Sequence, residues 1–571
     1  MNLTEDNSGF IQRLFLRHVR PGVAAQIIST IGPIVCGIIA GTVFGKSGLA
    51  VTGLFSPFFF LAGFFGTIIA SGSSTLAAKY VALNDDRRVA GIYTLALGLS
   101  TAFAAVLFLF GWLLRDVILN WLVAGGELYE PALRYYMPSL WYTCLTILIY
   151  IPLFWARLLG RPSIAMILTV TLTCASIILG AVYSFIYDMG LEGLALAQAL
   201  ATLFAVAGAI LLLHLPKDGL RFHMPQHIRK DTVELITVGS APGLSRLYRF
   251  LCILFVNAVL LNVSGTEAVA VFGVLNMLLR FITALSNGIS GVQMPIASVL
   301  REERDKISLD QLARVSFIFG NVAVLLLAVL TLALHQGIAS LFNINSPMFF
   351  PALICFCVYI TFYMNGSLFI SWYTAIRHVQ LANIVTFAQD LFLPAIFILF
   401  FSFVFSGNFV WLHLPASGVL TVLLLFLTRR AGKLNFSFTG TSLAFSVERD
   451  PDKASEASAA VGDFCEENGL ERRQSLLLSM AIEEMIVIIA EQNPDGDNIS
   501  VRLTRFDGGI VLRLRDTGKR FNPINYYNER LLSVEDFEDS VDLMGVKYIT
   551  EAADVMYYKE TFGVNNLVVI I

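Results

Sequence analysis

Apolar runs long enough to cross ~30 Å of hydrocarbon recur about twelve times between residues 21 and 431 of this 571-residue chain, separated by charges or by Gly, Pro and Asn breaks. A backbone crossing lipid must satisfy its own hydrogen bonds, so such runs can only be helices. The expected body is therefore all-α and polytopic, with about twelve transmembrane helices. The runs divide into a first lobe over 21–215 and a second over 233–431, each with six helices, joined by a loop at 216–232. Residues 1–20 carry Arg13, Arg17 and Arg20 and read as a cytoplasmic segment before a retained span, since no small-x-small cleavage site follows a short core.

Charge separates this body from the C-terminal region. Residues 441–571 hold 24 acidic and 13 basic residues, a net of −11, which leaves +8 on residues 1–440. With 56% hydrophobic and 14% charged residues over the whole chain, a soluble secreted enzyme, a coiled coil and a disordered scaffold are excluded. Lys and Arg in the short connections fall almost entirely on one side of the predicted membrane: Lys79, Arg87 and Arg88, Arg157 and Arg161, Arg301, Arg304 and Lys306, Arg377, and Arg429 and Arg430. That asymmetry places both termini in the cytoplasm of a cell-membrane protein. The seven cysteines show no spacing of a metal site or disulfide framework and read as buried hydrophobes.

Ionisable groups inside apolar runs are costly and mark pathways or ion pairs. Asp390, beside Gln389, is the one acid well inside a run; it reads either as a coupling group or as half of a structural pair. Arg246 and Arg249 stand three apart, on one helical face, and either line a cavity or snorkel to the interface. Arg280, beside Asn276, and Gln293 complete the candidate substrate and ion pathway. Glu267 falls in an outer loop. No metal-ligand set is expected.

Shifting the chain by 219 residues lays Ser71-Gly72 on Ser290-Gly291 and the loop Asn84-Asp85-Asp86-Arg87 on Glu303-Arg304-Asp305-Lys306. Two halves, each with a charged loop after its second span, suit a transporter built from repeats with its site between them. The stretch Gly41-Thr-Val-Phe-Gly45-Lys-Ser-Gly48-Leu-Ala50, with Pro57, Gly72–Tyr80 and Asn84–Arg87, resembles the opening of multidrug and toxin extrusion (MATE) transporters, and Gly288–Pro295 looks like its repeat. The resemblance covers about residues 10–435. It implies a two-lobed body exchanging organic cations or drugs, as small-molecule substrates, against Na⁺ or H⁺. The acidic residue usual in that family's first span is replaced by Cys36, so the expected coupling group moves to Asp390.

After a linker at 432–446, residues 447–571 read as an α/β domain. Helices are expected at 454–468 and 472–492, strands at 499–506 and 509–515 joined by a turn at Asp507-Gly508-Gly509, a helix near 542–553, and strands at 555–559 and 567–571. Asp516-Thr-Gly518-Lys-Arg-Phe521-Asn-Pro523, with Glu483-Glu484 and Asp542-Leu-Met-Gly545, resembles the histidine-kinase-like ATPase fold of bacterial anti-sigma factors. The resemblance implies ATP or ADP held by Asp516, Gly518, Phe521 and Gly545, with Glu484 as a base. It also implies a cytoplasmic regulatory partner of anti-anti-sigma type. Where that family has a Mg²⁺-ligating Asn, this chain has Ile488, which cannot bind a hard cation. The expectation is thus a secondary efflux transporter, not an enzyme, with a nucleotide-binding-like regulatory domain and no nucleic-acid partner. Two alternatives stand beside it: a membrane-tethered anti-sigma-type signalling protein, and a flippase-like exporter of anionic or lipid-linked cargo.

Overall fold

The computed structural model describes residues 8–571 apart from 84, 124–128, 215–219, 343–345, 405–406, 431–440, 495, 507–508, 527 and 529–543. Two compact units make up the chain. One contains residues 17–302 and 313–434; the other contains residues 435–571 together with residues 1–16 and the segment Glu303–Leu312.

Among the described residues twelve helices are long and apolar enough to span a membrane. They are span 1 (Gly9–Cys36), span 2 (Phe58–Ala82), span 3 (Asp86–Leu113), span 4 (Tyr129–Leu158), span 5 (Pro162–Ile186), span 6 (Gly190–His214), span 7 (Ile228–Gly265), span 8 (Glu267–Glu302), span 9 (Lys306–Ala333), span 10 (Phe349–Ala375), span 11 (Val379–Val404) and span 12 (Phe409–Leu427). The count matches the apolar runs. The chain is helical from Ser8, so residues 8–20 continue into span 1 as one helix instead of forming a separate segment. The three arginines there do not interrupt it, because their long stems leave Phe10, Ile11, Leu14, Phe15 and Val19 free to be buried.

Spans 7 and 8 run into each other at Gly265, whose φ of +79° is a conformation that glycine adopts without steric cost. Glu267 begins span 8 just after this corner and is exposed.

The second unit contains a five-stranded antiparallel sheet in the order β1-β2-β3-β5-β4: β1 (Ser442–Val447), β2 (Ile499–Phe506), β3 (Gly509–Asp516), β4 (Val555–Thr561) and β5 (Val564–Ile570). Helices α1 (Ala454–Glu467), α2 (Arg472–Gln492) and α3 (Met544–Ala552) accompany it. Strand β1 is a correction to the sequence reading. Residues 442–446, assigned to a linker, continue into Val447 as one strand that pairs with β2 from Ser442↔Thr504 to Val447↔Ile499, and Phe445 and Val447 enter the core. The expected Asp507-Gly508 turn lies outside the described residues.

Alternation along the strands gives the sheet two unlike faces. Val501, Leu503, Leu512, Leu514, Leu567 and Val569 join Val461, Leu478, Ile482, Met485, Ile486 and Ile549 in one apolar core. Arg502, Arg513, Arg515 and Asn566 stand at the opposite positions.

Candidate functional site

In the twelve-helix unit the two halves approach so closely that only glycine fits. A Cβ on Gly72 of span 2 would lie 2.0 Å from the Leu235 carbonyl oxygen of span 7, and one on Gly239 would lie 2.0 Å from the Ile68 carbonyl oxygen. Gly239-Ser-Ala-Pro-Gly243 is a small-xxx-small pattern of the kind that lets membrane helices touch backbone to backbone. The repeat-related contact joins spans 1 and 8, where a Cβ on Gly288 would lie 2.6 Å from Val23 Cα. Beside them Arg88, at the start of span 3, grips Asp231, at the start of span 7, through two hydrogen bonds of 3.1 and 3.2 Å, with both groups nearly buried. The Arg88–Asp231 pair sits at helix ends that carry basic connections, whereas the glycine contacts lie ten to fourteen residues further along their spans.

Asp390 lies in span 11 within a wide π turn, Ala388–Phe392, a local loosening of the helix that recurs at functional sites. It is 3% exposed, and Ser245 Oγ of span 7 donates to its Oδ2 at 2.5 Å. Gln389 is buried beside it and donates from Nε2 to Ser367 Oγ of span 10 at 3.3 Å. Gln389 fits because residue 366 is glycine: a Cβ there would sit 1.6 Å from Oε1. Asp390 Oδ1 and Gln389 Oε1 are both buried and accept no hydrogen bond. Both are buried acceptors left without a donor, the kind of group that calls for an explanation.

The two span 7 arginines diverge, contrary to the one-face reading. Arg249 donates from Nη1 to Tyr363 Oη of span 10 at 3.2 Å and from Nε to the Ser245 carbonyl at 3.3 Å, which keeps it in the second half beside the Asp390 cluster. Arg246 crosses to the first half, where Nη1 donates to Tyr150 Oη of span 4 at 2.9 Å and the guanidinium lies 5.1 Å from that ring. Three residues on a helix turn through about 300°, enough for two long side chains to reach different neighbours.

The remaining candidates scatter. Gln293 is fully buried and donates to Ser316 Oγ of span 9 at 2.8 Å, a link between helices. Asn276 donates to the Phe272 carbonyl in its own helix, and Arg280 is exposed. Sequence reasoning missed Ser245, Tyr363, Ser367 and Tyr150, since a lone hydroxyl in an apolar run gives no signal. It also missed Gly239 and Gly243, although their small-xxx-small spacing carries a signal.

In the second unit Asp516 ends β3 and is 2% exposed. Its Oδ1 already accepts four hydrogen bonds: from Arg449 Nη2 at 2.7 Å, Gly518 N at 2.8 Å, Asn565 Nδ2 at 3.1 Å and Asn493 Nδ2 at 3.3 Å. Arg449 also donates to the carbonyls of Asp497, at 2.7 Å, and Asn493. Gly518 packs backbone to backbone against Gly496, where a Cβ would lie 2.8 Å from Gly518 Cα. Phe521 packs near Tyr526 with ring centres 5.7 Å apart, and its N–H donates to Asn565 Oδ1 at 3.4 Å. A purine presenting its amino group to this oxygen would have to displace Arg449. Glu484 is half-buried on α2, and Ile488 packs against the apolar core one turn later. Gly545 is the second residue of α3; Asp542 lies outside the described residues.

The MatE family profile matches residues 21–186. No curated protein matches the chain. Solved structures of similar fold include an outward-facing multidrug resistance MATE transporter of the MOP superfamily, 19% identical, with a TM-score of 0.69 over 74% of this chain and 96% of that one. A variant of the Vibrio cholerae MATE transporter VcmN is 15% identical, with a TM-score of 0.69 over 75% of this chain and 98% of its own. A Pyrococcus furiosus MOP superfamily transporter, described as having a binding pocket of reversed polarity and a different suggested function, is 18% identical, with a TM-score of 0.66 over 74% and 96%. The chain is thus a multi-pass membrane protein whose membrane part has the fold of MATE transporters.

Proposed function

We propose that this protein is a secondary active exporter of the cell membrane, working by alternating access between its two six-span halves, with both termini in the cytoplasm. The observation that carries this reading is the glycine-only contact of spans 2 and 7 together with spans 1 and 8. It holds the two halves together by backbone contacts inside the spans, with the Arg88–Asp231 pair at the ends that bear basic loops. Backbone contacts of that kind can be made and broken by rocking the halves as rigid bodies.

Asp390 is the coupling group in this reading. It binds H⁺ or Na⁺ at Oδ1 with Gln389 Oε1, and Arg249 with Ser245 sets the affinity from the other side. The first lobe has no equivalent acid, so coupling resides in the second lobe. In proteoliposomes, dye efflux should respond to an imposed pH or Na⁺ gradient, and Asp390→Asn should abolish that response while dye still binds. Unchanged gradient dependence in the variant would remove Asp390 from the mechanism.

A second reading concerns cargo. Arg246 is a cation held between spans 4 and 7, and the first six spans lack a central acid, which together favour an anionic or lipid-linked substrate over an organic cation. The pocket of reversed polarity ascribed to the Pyrococcus furiosus protein gives a precedent of similar fold. Competition between cationic and anionic dyes for export separates the two. The C-terminal unit acts as a regulatory module that does not turn over nucleotide, because Arg449 fills the place at Asp516 and Ile488 removes the metal ligand. Calorimetry of the full chain with ATP and Mg²⁺ should show no hydrolysis and no binding tighter than millimolar.

A further inference from the structure

The sheet face opposite the apolar core ought to be solvated, since it carries Arg502, Arg513 and Arg515. It is not: the three side chains belong to residues 2%, 8% and 5% exposed. Arg502 and Arg513 are direct cross-strand neighbours, and Arg515 pairs with Asn566 across β5. Like charges facing each other across strands repel, so a buried row of arginines calls for acidic partners.

The partners come from Glu303–Leu312, the connection after span 8 together with the first residues of span 9, which belongs to the same compact unit as residues 435–571. Arg515 Nη2 meets Glu303 Oε2 at 2.5 Å and its Nη1 meets Asp305 Oδ2 at 2.7 Å. Asn566 Nδ2 donates to Glu303 Oε1 at 3.3 Å, Arg502 Nη2 donates to Ser308 Oγ at 3.1 Å, and Arg502 Nε lies 3.6 Å from Asp305 Oδ2. Asp305 also accepts from the Ser308 N–H at 3.0 Å, so the carboxylate that the arginines hold is the one that caps the start of span 9. Arg304 between the two acids has a φ of +56°, a strained conformation that presents its neighbours together. Burial alone would raise the Asp305 pKa, but Arg515 and Arg502 outweigh it and hold the carboxyl well below its ordinary value.

We infer that the arginine face of the C-terminal sheet is a docking surface for the acidic connection Glu303–Asp305, and that through it the C-terminal unit controls how freely spans 8 and 9 move. This rests on the transporter reading for its consequence but not for the docking itself. Span 8 carries Gly288, one of the contacts that close the two halves, and its last turn leads directly into Glu303. A unit that holds Glu303 and the cap of span 9 therefore restrains the helices that must shift when the halves rock.

The test uses the full-length protein in nanodiscs, with hydrogen exchange followed by mass spectrometry. Arg515→Ala should speed exchange of the amides in 303–312 at least tenfold, while peptides from α1 and α2 keep wild-type protection and report an intact fold. Exchanging the charges, Glu303→Arg with Arg515→Glu, should recover at least part of that protection, and Arg520→Ala, on an exposed residue outside the cluster, should change nothing. In liposomes Arg515→Ala and Glu303→Gln should alter the efflux rate in the same direction by threefold or more, with the double variant no further altered than either single one. Unchanged exchange at 303–312 in a folded Arg515→Ala protein overturns the docking. Faster exchange with an unchanged efflux rate overturns the control. If the wild-type chain exports nothing, the transporter reading fails, and the exchange data alone decide the docking.

Discussion

At the scale of single residues, the backbone approach at Gly72 and Gly239 leaves no room for a methyl group, because its nearest neighbours are carbonyl oxygens 2.0 Å away and not flexible side chains. Gly72→Ala should force spans 2 and 7 apart, cost about 1–3 kcal/mol of overpacking, and lower the melting temperature of the purified protein. Labelling of cysteines introduced beside the contact of spans 2 and 7 should increase with it. Gly366→Ala tests a different point, since its Cβ would collide with Gln389 Oε1. It should displace Gln389 and weaken gradient-driven efflux several-fold without removing Asp390; a wild-type response would exclude Gln389 from the cation seat.

Among the elements, ion pairs tie helix ends to one another. Arg88 and Asp231 are 10% and 3% exposed in their side chains, so Asp231→Asn leaves a buried guanidinium without its charge partner. Breaking such a pair costs about 3–5 kcal/mol. The loss should appear as a shift toward the opposite access state, read by electron–electron distances between spin labels on spans 3 and 7. The connection at 303–312 has its own pH signature. Because Asp305 is depressed in the folded state, its contribution is complete above the ordinary carboxylate pKa of about 4 and is lost only as pH falls below it. Protection factors in 303–312 should therefore stay flat between pH 8 and pH 5. A decline across that range would mean that Asp305 is not held by the arginines.

For the molecule as a whole, the twelve-helix unit has its own buried core, in which Cys36, Phe55, Leu119, Tyr135, Tyr136 and Ile147 pack together. A chain cut after residue 440 should consequently insert, fold and export, at a rate that differs from the full-length protein in the same direction as Arg515→Ala. Inactive but folded truncated protein would show that the C-terminal unit is part of the transport machinery. The twelve spans and most helices and strands of the tail were legible beforehand, because hydrophobic period is a local property of the chain. Strand β1 was not, because six residues following a Gly- and Ser-containing stretch give too weak a pattern to separate from a linker.

What the sequence by itself determined is the class of object: a polytopic helical body, an acidic α/β tail and a short set of ionisable residues in costly places. Tertiary structure alone decided the pairings. It sent Arg246 and Arg249 to opposite halves, set Ser245 against Asp390, filled the place at Asp516 with Arg449, and buried three sheet arginines against Glu303 and Asp305. Those partners stand 67 to 212 residues apart in the chain for Arg449–Asp516 and Glu303–Arg515. The physical reason is that periodicity reports which face of an element is apolar, whereas a buried charge takes whichever opposite group the packing brings within reach.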